Sequence, residues 1–306
     1  MSQRVLVTGA TGFVGRHVVR QLHEDNFFVK ILVRKDSDRT PIEGAYDDAA
    51  IGDVRDAASL RKACENVDAV VHLVGIRKQV GDQKFDDVVV EGTRKLVEAA
   101  RASGTVKKIV LQSALGTRAE ANNDYHRTKY EAEQVVARSG IPYTIFRPSF
   151  ILGKDAGLLR EFENLLKMPL LPLPGGFKTR AQPVYVKDLA QMFSLALREK
   201  HTDGQTYEVG GPDVCTMKDL LDHVKEKKGY KFRFMPPVPI VLVQPGAYLM
   251  DLVLPNPPVT PTELKMMKTA NTLSGGALAR LEKDFGMKLT PLQEQLARSM
   301  NNVKKK

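Results

Sequence analysis

The 306-residue sequence has little cysteine, no long apolar run and no internal repeat, and each absence removes a class of protein. Its two cysteines, Cys64 and Cys215, stand far apart without CxxC or Cys/His spacing. Neither a disulfide framework nor a structural zinc site is readable, and a reducing, cytoplasmic setting is expected. No stretch approaches the roughly 18 consecutive apolar residues of a membrane-spanning helix. The most apolar segment, Met235 to Leu254, is interrupted by Pro236, Pro237, Pro239 and Pro245, which argue against a long helix there. With 42% hydrophobic and 27% charged residues, the composition is that of a globular chain able to bury a large core. The formal net charge is +10, and Val214 onward carries 15 Lys and Arg against 8 Asp and Glu, so the excess is C-terminal. Aromatic and basic residues do not interleave, so nucleic acid is not an expected partner.

What is present begins at once. Arg4 to Val7 form a β-branched run, Thr8 to Gly15 read TGATGFVG, and Val14, Val18, Val19 and Leu22 follow at helical spacing, which predicts strand, glycine turn and helix. With structure starting at the third or fourth residue, no signal or transit peptide is expected ahead of it. Glycines at 9, 12 and 15 permit a tight turn, close approach of backbone to a pyrophosphate, and close packing of helix on sheet, while free amides at the helix start face the negative charge. The next strand, Phe28 to Val33, ends in Arg34, where an NAD-selective site would carry Asp or Glu. A guanidinium there pairs with a 2′-phosphate, so NADP(H) is favoured over NAD(H).

Further strand-helix units follow: strands at Ala50 to Asp53, Asp68 to Val74 and Lys108 to Gln112, and helices at Ala58 to Asn66 and Val88 to Ser103. The alternation predicts an α/β fold, a Rossmann-type doubly wound parallel sheet with a smaller C-terminal cap on the substrate side. Residues 1–150 would form the nucleotide-binding domain, with 184–200 returning to it, and 151–306 the cap. Ligands of such sheets lie at the carboxyl ends of the strands. That places Gly9, Thr11, Gly12, Phe13, Val14, Gly15, Arg34, Asp53, Val54, Leu73, Val74, Gly75 and Ser113 along one cofactor trench.

Tyr125 and Lys129 open the helix that follows the strand ending at Ser113, and their four-residue spacing puts them on one face. A phenol with pKa near 10 is a weak acid or base at neutral pH, so a neighbouring ammonium is needed to stabilise the phenolate; about 1.4 kcal/mol of such stabilisation lowers the pKa by one. Lys129 can supply it and can also bind the nicotinamide ribose. The Ser113 hydroxyl would orient a carbonyl or alcohol, and Tyr125 would move the proton that accompanies hydride transfer. His126 points to another face.

Thr8 to Gly15, Asp53-Val54, Ser113, Tyr125 with Lys129, Phe146 to Ser149 and Val184 to Ala190 together resemble an extended or atypical short-chain dehydrogenase/reductase, a group that includes the NAD-dependent epimerase/dehydratase proteins. The resemblance implies that Pro148 and Ser149 pass near the nicotinamide and that Asp53 contacts the adenine. Pro257 to Leu264, Asn271, Phe285-Gly286 and Leu289 to Leu292 add a similarity to prokaryotic relatives of the NAD(P)H-binding accessory subunit of respiratory complex I. Three functions stay open: an NADP(H)-dependent carbonyl or alcohol oxidoreductase, a nucleotide-loaded structural or regulatory subunit, and a nucleotide-sugar epimerase or dehydratase. The apolar, proline-rich segment is expected to wall the cleft, or else, flanked by Lys225, Lys227, Lys228, Lys231 and Arg233, to form a membrane-peripheral or protein-complex contact through 232–256.

Overall fold

The computed structural model describes residues 2–77, 79, 81–168, 170–230, 234–253, 264–265 and 270–300. The 257–263 part of the Pro257 to Leu264 motif, Lys231, Arg233 and Lys304 to Lys306 therefore lie outside the described residues. The elements in chain order are β1 (Arg4–Thr8), α1 (Phe13–Glu24), β2 (Phe28–Val33), β3 (Asp48–Ile51), α2 (Ala57–Cys64), β4 (Ala69–His72), α3 (Gly92–Ser103), β5 (Lys108–Gln112), α4 (Asp124–Ala137) and β6 (Tyr143–Pro148). After these come α5 (Gly157–Leu165), α6 (Val186–Arg198), β7 (Gln205–Val209), α7 (Met217–Lys227), α8 (Ile240–Val253), α9 (Ala277–Phe285) and α10 (Leu292–Ser299).

The seven strands form one sheet in the order β7-β6-β5-β4-β1-β2-β3, with every pair parallel. This is the Rossmann-type order, and it reverses direction between β1 and β4, the switch point where such sheets bind ligands. The central strands are near-continuous apolar runs because helices cover both faces of a parallel sheet. Val5, Leu6, Val7, Ala69, Val70 and Val71 are fully buried, each large side chain contributing roughly 2 kcal/mol through burial. Side chains close the helix starts: Asp56 accepts the Ala58 and Ser59 amides before α2, and Asn123 accepts the His126 amide at 2.9 Å before α4.

The chain divides into two compact units, one of residues 1–148, 186–209 and 279–288, the other of 149–185, 210–278 and 289–306. The first holds the whole seven-stranded sheet. The second is built around α5, α7, α8 and α10, with short two-residue strand pairs such as Ile151–Leu152 beside Val184–Tyr185. Two local expectations are corrected. Residues Asp86–Glu91 form a π-helical turn leading into α3, where three consecutive valines, all buried, crowd the backbone. The proline-rich segment does form a 14-residue helix, α8. Pro239 stands just ahead of its first turn, where a missing N–H costs nothing, and only Pro245 deletes an internal hydrogen bond. Among the described residues no helix is long and apolar enough to cross a membrane.

Candidate functional site

The first unit gathers its polar residues at the carboxyl ends of β1, β4 and β5. At the end of β1, Gly9 adopts φ +75°, and a Cβ there would stand 3.1 Å from the backbone of Leu73 and Val74 beyond β4. Gly12 donates its amide to the Gly9 carbonyl at 3.1 Å and caps α1 with its own carbonyl. No side chain caps this helix and no acidic residue occupies its first turn, so the amides of Phe13, Val14 and Gly15 remain available to an anion. Gly15 packs so closely on the loop that a Cβ would lie 2.1 Å from the Gly9 carbonyl oxygen. The glycines at 9 and 15 let the backbone close tightly on itself, and at exposed Gly12 a Cβ would meet only the Gly9 carbonyl at 3.2 Å, so the face with the free first-turn amides stays open and fits a diphosphate. The buried Arg16 Nε and Gln112 Oε1 also lack a hydrogen-bond partner among the described residues. Thr11 and Phe13 are half-buried, whereas Val14 turns its side chain into the core and offers only backbone.

Arg34 is exposed just beyond β2, within electrostatic reach of Asp53. Burial raises the Asp53 carboxyl, but hydrogen bonds from Arg55, with the charges of Arg55 and Arg34, outweigh it and hold the group below its usual range. Val54 is buried in the hydrophobic core, against the position of Gly92 at the start of α3. Leu73 and Val74 are half-buried and Gly75 is exposed; Leu73 donates its amide to the Thr8 carbonyl at 3.1 Å, joining the ends of β1 and β4.

Lys129, buried on α4, donates to the Gln112 carbonyl at 3.1 Å, and its Nζ lies 2.7 Å from where a Cβ on Gly75 would stand. It therefore sits between the β4 and β5 ends. Ser113 is buried, with its amide bound to the Phe146 carbonyl at 2.7 Å and its hydroxyl 3.4 Å from Thr117 Oγ1. Tyr125 is half-buried, edge-on to Phe85 at 6.2 Å between ring centroids. Burial pushes its phenol above the usual value while Arg77 pulls the other way. Here the electrostatics depart from expectation. The cation acting on the phenol is Arg77, and the ammonium of Lys129 is turned to the Gln112 carbonyl. Burial brings Lys129 itself down to about 8, against an upward pull from Glu133.

That depression has a measurable consequence. A lysine whose folded pKa is about 8 rather than 10.5 binds fewer protons folded than unfolded across that window, so stability rises as pH climbs from about 8 to 10.5. The gain is at most about 3 kcal/mol. Urea midpoints of the nucleotide-free protein should show this rise, and Lys129→Met should flatten it.

Two further residues of this site, His72 and Glu133, escape a reading by motif. His72, fully buried at the end of β4, has Nδ1 2.6 Å from Thr8 Oγ1 and Nε2 3.1 Å from Thr93 Oγ1. Because the Thr93 hydroxyl donates to the Val89 carbonyl at 2.5 Å, it accepts from His72 Nε2–H, which leaves Nδ1 to accept from Thr8. Burial, with the Lys129 charge, pushes this imidazole down to about 3, so it stays neutral and ties β1, β4 and the π-turn together. Glu133, one turn beyond Lys129, forms a bidentate pair with Arg147 at 2.8 and 2.5 Å. A lone polar residue in the AVVH strand and the Lys129/Glu133 spacing are the signals the sequence holds for them. Pro148 ends β6 with its carbonyl accepting the Leu115 amide at 2.9 Å. Ser149 opens the second unit, where its hydroxyl bonds Asn271 Oδ1 at 2.5 Å.

Residues 9–165 match a family described as NAD(P)H-binding. The chain is 32% identical over 298 residues to the mitochondrial NADH dehydrogenase (ubiquinone) 1 alpha subcomplex subunit 9 of Mus musculus, covering 94% of this chain and 77% of that protein. It is 32% identical over 275 residues to sterol demethylase protein B of Methylococcus capsulatus, covering 80% of each. The dTDP-glucose 4,6-dehydratase of Streptomyces venezuelae, solved with NAD and TYD bound, superposes with a TM-score of 0.74 over 97% of this chain and 95% of that one; at 23% identity this shows the fold alone. The chain belongs to the NAD(P)H-binding family, among the extended short-chain dehydrogenase/reductase-like proteins related to subunit 9 of complex I and to the epimerase/dehydratase fold.

Proposed function

We propose that the protein is an NADP(H)-dependent oxidoreductase of a small carbonyl or alcohol substrate, with Ser113, Tyr125 and Lys129 as its catalytic residues. The observation that carries this reading is the convergence of Lys129 on Gly75 and the Gln112 carbonyl, one residue from Ser113, at the rim where β1 ends in an uncapped glycine loop. The amides of Phe13, Val14 and Gly15 hold the diphosphate, and Thr11, Asp53, Val54, Leu73, Val74 and Pro148 border the nucleotide. When bound, the nicotinamide supplies or accepts the hydride. Ser113 donates a hydrogen bond that orients the substrate oxygen. In reduction Tyr125 gives its proton to that oxygen, yielding the alcohol; in oxidation the phenolate takes the proton back. A phenol held protonated by burial suits reduction at neutral pH. Lys129 binds the ribose and carries charge towards the proton path.

Arg34 gives the cofactor preference. It is exposed at the end of β2 with its guanidinium in no salt bridge among the described residues, as a partner for a 2′-phosphate requires. Arg34→Glu should weaken NADPH at least tenfold, the scale of one or two charge-assisted hydrogen bonds, while changing NADH less than about threefold. Fluorescence titration of both cofactors checks this; an equal loss for both would remove Arg34 from the phosphate site.

A second reading is a nucleotide-loaded subunit without turnover, favoured by the similarity to subunit 9 over nearly the whole chain. Under that reading Tyr125→Phe alters nothing measurable, whereas the oxidoreductase loses its activity in a carbonyl screen with NADPH. An epimerase or dehydratase would instead act on a nucleotide sugar and release its cofactor unchanged. A cytoplasmic protein with a peripheral contact through 232–256 fits both main readings, because the described part of that segment exposes Val241, Leu242 and Leu249.

A further inference from the structure

Helix α8 inverts the usual amphipathic arrangement. Ala247 is fully buried and Ile240, Val243 and Gln244 are half-buried or exposed only in part, whereas Val241, Leu242, Tyr248, Leu249 and Val253 are between 52% and 72% exposed. The exposed five share one broad arc of the helix, offset by one, seven, eight and twelve residues from Val241. The helix carries a single charged residue, Asp251, near its C-terminal end. A contiguous apolar face of this kind marks a contact surface.

The start of the same helix meets positive charge. Ile240 lines a cavity of about 320 Å³ together with Lys178, Thr179 and Arg180, and a Cβ on neighbouring Gly175 would touch the Ile240 side chain at 3.2 Å. Lys178 and Arg180 are exposed, and neither side chain belongs to a salt bridge among the described residues. By contrast, Lys228 in the same unit is neutralised by Glu163 at 2.9 Å.

We propose that α8 and this cavity form a docking surface for an anionic lipid bilayer, with the apolar arc lying at the headgroup boundary and Lys178 and Arg180 taking lipid phosphates. Charge complementarity selects this occupant. Two exposed cations outside any salt bridge among the described residues, beside an apolar face with a single charged residue, match anionic headgroups over acyl chains. This narrows the peripheral-contact reading given above and rests on it, but not on the nucleotide site.

The test is co-sedimentation of the full chain with phosphatidylcholine vesicles with and without about 30% phosphatidylglycerol, at low and high salt. The wild-type protein should bind the anionic vesicles at least about tenfold better, and salt should weaken the binding. Lys178→Gln and Arg180→Gln should each cost about fivefold, the effect of one basic residue at a charged surface. Leu242→Asp with Leu249→Asp should reduce binding at least about tenfold. Every variant should keep its NADPH fluorescence response, which reports an intact fold. Failure of the wild type to sediment, or binding indifferent to both sets of changes, overturns the proposal. So does a result in which the aspartates only dissolve a homodimer or release a protein partner. Loss of the NADPH response in all proteins, with lipid binding kept, overturns the oxidoreductase reading instead.

Discussion

Gly12→Asp should leave the nucleotide-free protein at least as stable as wild type while lowering NADPH affinity a hundredfold or more. Gly12 is the N-cap of α1, at φ −68° and ψ 170°, an ordinary extended conformation for any residue. An aspartate there can accept amides of the first helical turn, and such a cap contributes a few tenths of a kcal/mol over glycine. A Cβ at this position meets only the Gly9 carbonyl oxygen at 3.2 Å, a contact the loop can relax by a few tenths of an ångström. The same carboxylate, however, fills the anion seat with negative charge and occupies the amides that the diphosphate needs. Stability and affinity therefore move in opposite directions, which a merely misfolded variant would not do. Thermal unfolding and fluorescence titration on the same preparation separate the two. Gly15→Ala provides the contrast: its Cβ would overlap the Gly9 carbonyl at 2.1 Å, so both quantities should fall.

Tyr125→Phe should reduce turnover by about a hundred- to ten-thousandfold, the range for loss of a general acid or base, with cofactor affinity within about twofold of wild type. The ring keeps its edge contacts with Phe85 and His126, so the loss is confined to the hydroxyl. Because burial holds the phenol above its usual value, the proton needed for carbonyl reduction is in place at neutral pH, and the rate of reduction should stay flat until strongly alkaline pH. Alcohol oxidation needs the phenolate and should rise with pH over the same range. A pH profile of kcat/KM in both directions reads this. Equal profiles, or residual activity in the Phe variant near wild type, would remove Tyr125 from the proton path.

The nucleotide side of this molecule is legible in the sequence because it is local. A β-branched run, three glycines and an apolar stripe fix β1, the loop and α1 within two dozen residues, and β5 falls on Lys108 to Gln112 as the run of apolar residues implies. Spacing alone places Tyr125 and Lys129 on one helix. What spacing does not reveal is the partner each group finds across the sheet. Lys129 reaches Gln112, His72 is held by Thr8 and Thr93, and Glu133 meets Arg147, contacts between different elements whose partners stand 14 to 64 residues apart. The π-turn at Asp86–Glu91 is hidden because periodicity does not distinguish a widened turn from α-helix. Helix α8 escapes a count of prolines that ignores where each falls: one sits ahead of the first turn, and one internal proline removes a single bond.

Reception of a diphosphate by the amides of Phe13, Val14 and Gly15 underlies every cofactor-dependent step above. Backbone amide chemical shifts of isotopically labelled protein, recorded while NADPH is added, address those groups one by one. Large downfield movement at these three residues, absent in Gly12→Asp, is the expected result; saturation of the protein by NADPH with these three resonances unmoved would contradict it.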